Sequence, residues 1–209
     1  MKLRSRRTVP WREARWCALD LELTGLNPAT DTIIAVGAVP IEDGRLILGD
    51  SFYTLVRATK RSEHGAILAH KLRVADLEGA PSLDEALDRI LAIFEERVPV
   101  FHAASIERSF LTPLFARRRL KLPAAVDTEV LGRLWLRGRD GVAPPGLRLA
   151  KLSQALGQEP EAPHHALGDA LTTAKAFIAL ATHLDAVAPQ TVATLLSAEE
   201  RLRGARRFG

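Results

Sequence analysis

The sequence Trp16-Cys17-Ala18-Leu19-Asp20-Leu21-Glu22, followed by Leu23-Thr24-Gly25, decides how this chain is interpreted. It predicts a strand of apolar residues that two acids interrupt. Because side chains alternate along a strand, Asp20 and Glu22 point to the same face. Two carboxylates on a central strand are costly unless something neutralises them, and a divalent cation, which prefers carboxylate oxygen, does so. A strand end that emerges into solvent explains the pair equally well.

Strand and turn signals around this stretch predict a mixed sheet. A second strand is predicted at 33–41, and Asp43-Gly44 is a strong hairpin signal, so residues 46–56 should return antiparallel as a third strand. Two further short strands are predicted at 98–102 and 124–127. Three strands followed by alternating helices and strands predict a single α/β domain. Its five-stranded mixed sheet should be antiparallel in the first three strands and flanked by helices.

Helices are predicted where apolar residues recur at helical spacing. Ser82-Leu83-Asp84-Glu85 has the capping-box pattern, so one helix should begin there. Further helices are predicted at 106–119, 128–136, 147–156, 166–183 and 189–203. Pro113 lies inside one of them, where it weakens the prediction or implies a kink. The Gly- and Pro-rich residues 138–146 are predicted to form a loop.

Length and composition are those of a globular protein. The chain has 209 residues, of which 47% are hydrophobic and 26% charged, as expected for one domain. Its single cysteine, Cys17, excludes an intramolecular disulfide and a cysteine-based zinc site. The longest strongly apolar stretch, 33–41, is too short to cross a bilayer, and the start lacks the apolar core of a secretory signal. We therefore expect a cytoplasmic protein with no membrane partner.

The net charge of +4 is unevenly distributed. Residues 1–15 hold six Lys or Arg against one Glu, residues 201–209 hold four Arg, and the body between them is acidic with a net charge of −5. We divide the chain into a basic N-terminal arm at 1–15, a main domain at 16–185, and a C-terminal helix and basic tail at 186–209. The basic ends are candidate phosphate contacts, although solvated charge explains them too.

Three more polar residues stand out, but each has an ordinary structural explanation by itself. Glu107 and Asp169 lie near the starts of predicted helices, where an acid interacts favourably with the helix dipole. His164 lies just before a helix, where a histidine often caps the helix or faces water. Only the combination of these residues with Asp20 and Glu22 indicates a catalytic site.

The combination resembles the DEDDh exonucleases, the DnaQ-like 3′-to-5′ exonuclease family with the RNase H-like exonuclease fold. Asp20-Leu21-Glu22-Leu23-Thr24-Gly25-Leu26 resembles the first motif of the family. Phe101-His102-Ala103-Ala104-Ser105-Ile106-Glu107 is similar to the second, and His164-His165-Ala166-Leu167-Gly168-Asp169-Ala170 to the third. Asp127-Thr128 resembles a pair that ends a strand in the family. The resemblance spans residues 16–184 and implies the same fold.

The second motif departs from the family pattern at two positions. The family usually has asparagine where Ala103 stands and aspartate where Glu107 stands. The longer side chain of Glu107 displaces its carboxylate by about 1.5 Å, one C–C bond. Since misplacements near 1 Å can cost on the order of 100-fold in rate, this departure affects the expected activity more than the fold.

The resemblance implies a metal site and a base. Two divalent cations, Mg²⁺ or Mn²⁺, would be held by four carboxylates: Asp20, Glu22, Glu107 and Asp169. His164 would be the general base that deprotonates the attacking water, a task suited to an imidazole that is mostly neutral at pH 7. His165 competes for this role, but its offset from Asp169 does not fit the motif.

The resemblance also implies a substrate. Thr24, Gly25 and Leu26 would contact the terminal nucleotide, and His102 either lines the same cleft or serves in the core. The implied function is a metal-dependent exonuclease that shortens the 3′ ends of single-stranded DNA or RNA and releases nucleoside 5′-monophosphates. A polymerase or another replication or repair protein is a candidate partner.

Two alternatives stay open at this point. One is a module that kept the exonuclease fold for nucleic-acid binding or partner recruitment and lost most catalysis at Glu107. The other is an active enzyme whose substrates are very short oligoribonucleotides. Nothing in the sequence separates DNA from RNA.

Overall fold

The computed structural model describes residues 8–58, 62, 66, 71–161 and 163–204 of the chain. In this part, helices pack on both faces of a six-stranded sheet. The strands are β1 Trp16–Leu23, β2 Ile33–Glu42, β3 Arg45–Leu46, β4 Phe52–Leu55, β5 Val98–Phe101 and β6 Val126–Asp127. The helices are α1 Val74–Leu77, α2 Leu83–Glu96, α3 Ser105–Arg117, α4 Thr128–Asp140, α5 Leu149–Ala155, α6 Ala166–Val187, α7 Val192–Leu196 and α8 Ala198–Gly204.

Strand β1 lies inside the sheet. It pairs antiparallel with β2 over its whole length and parallel with β5, which in turn pairs parallel with β6. The strand order is β3-β2-β1-β5-β6, with β4 also paired to β2. This confirms the predicted mixed α/β sheet. Strand β2 is almost continuously apolar because it is buried on both faces.

The third strand predicted at 46–56 is divided into two, so the sheet has six strands rather than five. Strand β3 covers two residues, a 3-10 turn occupies Leu48–Asp50, and β4 then pairs with another part of β2. Gly49 and Asp50 are residue types that favour turns, which explains the interruption. The hairpin before β3 is confirmed, since Asp43 and Gly44 have the positive φ angles, 51° and 69°, that a tight turn requires.

The helices follow the predicted pattern with changes at their ends. Ser82 caps α2: its hydroxyl accepts from the Glu85 amide at 3.3 Å, and the Glu85 carboxylate accepts from the Ser82 amide at 2.8 Å. Helix α3 runs through Pro113, and α4 continues to Asp140 and ends at Gly141, whose φ is 76°. The helix predicted at 189–203 is two short helices, α7 and α8. No helix in the described ranges is long and apolar enough to cross a membrane.

The described part of the predicted N-terminal arm packs on the domain. Trp11 is 1% exposed and meets the Phe177 ring edge-on, with 6.1 Å between centroids. Its amide donates to the Gln190 carbonyl at 3.1 Å. Residues 8–15 therefore belong to the folded body, and the rest of the arm, 1–7, lies outside the described residues.

The segment after α6 is also packed. Leu195 and Leu202 are buried, and the Arg137 guanidinium donates to the Leu202 carbonyl at 3.1 Å. The chain through α8 thus covers the domain, while the final residues of the predicted tail, 205–209, lie outside the described part.

The two faces of β1 pack against different helices. Leu19, Leu21 and Leu23 join the core that α2 and α3 cover. Ala18 belongs to the opposite core, which α6 covers. Because side chains alternate, Asp20 and Glu22 face α6.

Candidate active site

Three of the predicted carboxylates converge. Asp20 and Glu22 from β1 and Asp169 from the first turn of α6 each place an oxygen within 4.8 Å of the other two. The alternation on β1 and the docking of α6 produce this cluster together. Carboxylate oxygens at such separations are suited to a hard divalent cation.

Gly37 explains how α6 comes so close to β1. It lies opposite Asp20 in the β1–β2 register, and a Cβ added there would lie 2.2 Å from the carbonyl carbon of Ala166. Only glycine permits this backbone approach, so the first turn of α6 rests on the sheet beside Asp20. Gly37 was not among the residues predicted from the sequence, although an isolated glycine inside an apolar strand is the usual signal of such an approach.

Glu107 lies in the first turn of α3. It is 5% exposed, and its Oε2 is buried without a hydrogen-bond partner among the described residues. It is not a member of the compact cluster of three, but it lies close enough to contribute to the pKa of Asp20. An unpaired buried carboxylate oxygen that interacts electrostatically with Asp20 fits a role as a metal ligand, because an unpartnered buried polar atom is costly.

Burial, and after it the charge of neighbouring acids, raises the pKa values of these carboxyl groups. Burial is the largest cause at Asp20, whose pKa lies well above its usual range, followed by the charges of Glu107, Asp169 and Glu22. Burial and then Asp169 raise the pKa of Glu22 to about 7. Burial also raises the pKa of Glu107 to about 8. A divalent cation would offset the repulsion among these acids, so the donor set fits one.

Asp127 holds the backbone that leads into α3. Its carboxylate accepts from the amides of Ala103 at 3.1 Å and Ala104 at 2.9 Å, and it caps α4 through the Glu129 amide at 2.9 Å. Ala103 has a φ of 54°, in the left-handed region that alanine disfavours. Asp127 therefore fixes the turn before Glu107. From the sequence, Asp127 was recognisable only as part of a family-like pair, and this contact was not predicted.

The two histidines before α6 differ in their surroundings. His164 is exposed, has a φ of 58°, and donates its amide hydrogen to Asp169 Oδ2 at 2.8 Å. Burial raises the pKa of Asp169, whereas the hydrogen bond from the His164 amide and the charges of His164 and His165 lower it, so both imidazoles lie within electrostatic reach of this carboxylate. The His165 ring also stacks on Tyr53, with centroids 4.6 Å apart and planes at 20°. Tyr53 is absent from the residues singled out in the sequence.

The predicted substrate residues on the loop after β1 are placed differently from one another. Thr24 is fully buried, and its hydroxyl donates to Asp31 Oδ1 and accepts from the Thr32 amide, both at 3.0 Å. Its side chain therefore holds the loop together. Gly25 is buried beside it, whereas Leu26 is 72% exposed.

His102 is half-buried on the α4 side of the site. Its Nδ1 lies 2.9 Å from the Thr128 hydroxyl, which donates to the Phe101 carbonyl at 3.1 Å. Burial lowers the pKa of His102, an effect that the Asp127 charge and a hydrogen bond to the Leu147 backbone oppose. The His102 ring is thus held by a contact inside the protein.

The chain matches the family model described as exonuclease over residues 17–177. It belongs to the exonuclease family. It is 31% identical over 192 residues to a DNA polymerase III subunit epsilon-like protein of Rhodobacter capsulatus, covering 90% of this chain and 27% of that protein. It is 30% identical over 171 residues to a PolC-type DNA polymerase III of Thermotoga petrophila, covering 80% and 12%. The chain thus spans about an eighth to a quarter of these two relatives.

A relative of similar size is the DNA polymerase III subunit epsilon of Aquifex aeolicus, 24% identical over 184 residues, with 82% of this chain and 83% of that protein covered. Among solved structures, exonuclease X in complex with 5′ overhanging duplex DNA superposes with a TM-score of 0.66 at 19% identity, covering 88% and 98% of the two chains. The nuclease domain of 3′hExo, a DEDDh family member bound to rAMP, gives 0.65 at 18% identity, with the same coverage. These likenesses confirm the predicted fold, and the acidic cluster within it indicates divalent metal use.

Proposed function

We propose that this protein is a divalent-metal-dependent 3′-to-5′ exonuclease that removes nucleoside 5′-monophosphates from single-stranded DNA or RNA ends. The observation that carries the proposal is the convergence of Asp20, Glu22 and Asp169 on an exonuclease-family fold. The unpaired Oε2 of Glu107, buried beside Asp20, supports it as the fourth carboxylate.

These four side chains would hold two divalent cations, Mg²⁺ or Mn²⁺. When bound, such a pair activates a water and stabilises the leaving 3′ oxygen. Burial and then the charges of Glu107, Asp169 and Glu22 raise the pKa of Asp20, so a bound cation would relieve Asp20 in particular. Three elements supply the four carboxylates, since Asp20 and Glu22 share β1, Glu107 lies on α3 and Asp169 lies on α6.

His164 acts as the general base in this proposal. Its ring is exposed to solvent beside the cluster, where an attacking water can reach it. Asp169 fixes the main chain at this residue by accepting its amide hydrogen. A neutral imidazole nitrogen takes the proton of the water as the phosphodiester bond breaks.

The 3′-terminal nucleotide binds next to the end of β1. Leu26 projects into solvent there and can wedge against the terminal base, while the backbone amides near Gly25 contact its sugar and phosphate. Thr24 supports this loop from inside through Asp31. His102 borders the same cleft while bound to Thr128.

The polymerase relatives favour one setting for this reaction. Two of them are named as DNA polymerase III epsilon-type subunits, which makes DNA 3′ ends the favoured substrate and a replication or repair polymerase the favoured partner. The departures at Ala103 and Glu107 favour the second candidate function, a nucleic-acid-binding or partner-recruiting module with weakened catalysis.

The test is digestion of a 5′-labelled oligonucleotide, run as DNA and as RNA with Mg²⁺ and with Mn²⁺. The unblocked strand should shorten from its 3′ end, and a 3′-blocked strand should stay intact. Asp20→Ala should abolish shortening, whereas the exposed control Asp50→Ala should not. Shortening that persists in Asp20→Ala would overturn the assignment of the site, and a wild-type protein that binds but never cleaves would support the second candidate.

A further inference from the structure

Tyr53, the single tyrosine of the chain, lies in the same row of the sheet as the proposed metal site. It pairs with Gly37 across β4 and β2, and Gly37 pairs with Asp20 across β2 and β1. Residues directly opposite one another in antiparallel strands project on the same face. The first turn of α6, at Ala166, rests on Gly37. This turn therefore has Asp20 on one side and Tyr53 on the other.

The contact between Tyr53 and α6 is made through the ring of His165. The two rings stack with their centroids 4.6 Å apart and their planes at 20°. Tyr53 is 37% exposed and His165 is exposed, so the stack lies at the rim of the site. Burial and then the charge of Glu22 raise the pKa of the Tyr53 hydroxyl, which places the stack near the carboxylates without making it part of the cluster.

The Tyr53–His165 stack adjoins His164, whose backbone conformation needs support from its neighbours. The side chain of His164 is exposed and its φ is 58°, a left-handed conformation that is unfavourable for a residue with a Cβ. Such a conformation persists only where neighbouring contacts hold it. Two hydrogen bonds hold this turn: the His164 amide donates to Asp169 Oδ2, and the Asp169 amide donates to the His165 carbonyl at 2.9 Å. The stack of the His165 ring on Tyr53 adds a side-chain contact to the same turn.

We propose that Tyr53 is a positioning residue for the nuclease reaction. Its ring, stacked on His165, holds the turn that presents the imidazole of His164 to the attacking water. This inference rests on the proposed function for the role of His164. Stacking requires the aromatic ring and not the hydroxyl, so phenylalanine should replace Tyr53 and alanine should not.

The kinetic test compares variants at the stack with a control at an exposed apolar position on the turn before β4. Tyr53→Ala should lower kcat by about 10- to 100-fold, the cost of a misplacement near 1 Å, with KM unchanged. Tyr53→Phe should retain most of kcat, and Leu48→Ala should match the wild type. His165→Ala should reproduce the loss, and the double variant should lose no more, because both changes break one contact.

Histidine side-chain NMR gives a readout that does not depend on catalysis. The ring signals of His164 and His165 are assigned from His164→Gln and His165→Gln. In the wild type, the Tyr53 ring current should shift the His165 signals, and Tyr53→Ala should remove this shift and change the His164 signals as well. Tyr53→Phe should preserve both.

Three results would overturn the inference: an unchanged kcat in Tyr53→Ala, losses at Tyr53 and His165 that multiply, or a loss that appears only in KM. His164 ring signals that stay unchanged in Tyr53→Ala would overturn the inference as well. If the wild type cleaves nothing, the proposed function fails, and the NMR comparison alone decides whether Tyr53 positions His164.

Discussion

The α6 side and the α3 side of the site differ in how closely they follow the family pattern. On the α6 side, Asp169 and His164 match the third motif, and the backbone contact at Gly37 holds them beside Asp20. On the α3 side, Glu107 and Ala103 both depart from the second motif, yet Glu107 still lies next to Asp20.

The two sides tolerate sequence change differently because different contacts hold them in place. Asp127 binds the amides of residues 103 and 104, which every residue type except proline offers. The backbone before α3 can therefore keep its place while the side chains at 103 and 107 change. The α6 side depends on a missing side chain at Gly37 and tolerates no such change. Side-chain variation is thus expected where the protein is held through its backbone amides.

The largest expected effect is on the α6 side. Asp169→Asn should lower kcat by at least about 1000-fold, because it removes both a proposed metal ligand and the charged acceptor that fixes the proposed base His164. The measurement is single-turnover digestion of the labelled oligonucleotide. Asp88→Asn, an exposed acid of the same type on α2, is the control. Activity within tenfold of the wild type in Asp169→Asn would show that the site is not organised around this carboxylate.

The α3 side should respond in the opposite direction to a shorter acid. Glu107→Asp should raise kcat by about 10- to 100-fold, because it withdraws the carboxylate by one C–C bond toward the position usual in the family. Glu107→Gln, which keeps the length and removes the charge, should lower kcat. A site that is inactive with either acid at position 107 would favour the binding module over the enzyme.

Stability of the metal-free protein should depend on pH through the same acids. The pKa of Glu107 is raised to about 8 and that of Glu22 to about 7, so the folded state keeps protons that the unfolded chain releases near pH 4.5. The stability that these protons contribute is fully present below about pH 4.5 and is lost as pH rises to about 7 for Glu22 and about 8 for Glu107, at up to about 1.4 kcal/mol per pH unit for each group.

Chemical denaturation in EDTA between pH 5 and pH 9 measures this loss. Mg²⁺ should restore stability more at pH 8 than at pH 6, because protons compete with it at the lower pH. In Glu107→Gln the pH dependence should become shallower. A metal-free protein that gains stability between pH 5 and pH 8 would contradict the burial of these acids.

The smallest expected effect concerns the strained turn on the α3 side. Ala103→Asn should raise the free energy of unfolding by about 0.5–1 kcal/mol, because asparagine tolerates the left-handed region better than alanine does. Denaturant unfolding measures the change, and Ala103→Gly should act in the same direction. Loss of stability in both variants would mean that the methyl group of Ala103 contributes packing that outweighs its strain.

Much of the fold follows from local sequence. The apolar run of β2, the Asp43-Gly44 turn and the capping box at Ser82 are short-range signals, and the structure confirms all three. The prediction failed where a weak local signal had to be weighed against packing. The residues before β4 were predicted as strand and contain a turn, and Gly138 was predicted as loop and lies in a helix.

The sequence by itself determined the α/β fold class, the pair Asp20 and Glu22 on one face of a strand, and the motif that contains Asp169. Periodicity and short spacings carry this information, because they reflect contacts between neighbours in the chain. Only the tertiary structure decided that α6 rests on Gly37, that Asp127 holds the turn before Glu107, that Tyr53 stacks on His165, and that Trp11 is buried. These contacts join residues that lie far apart in the chain, and the docking of helices on the sheet sets their distances.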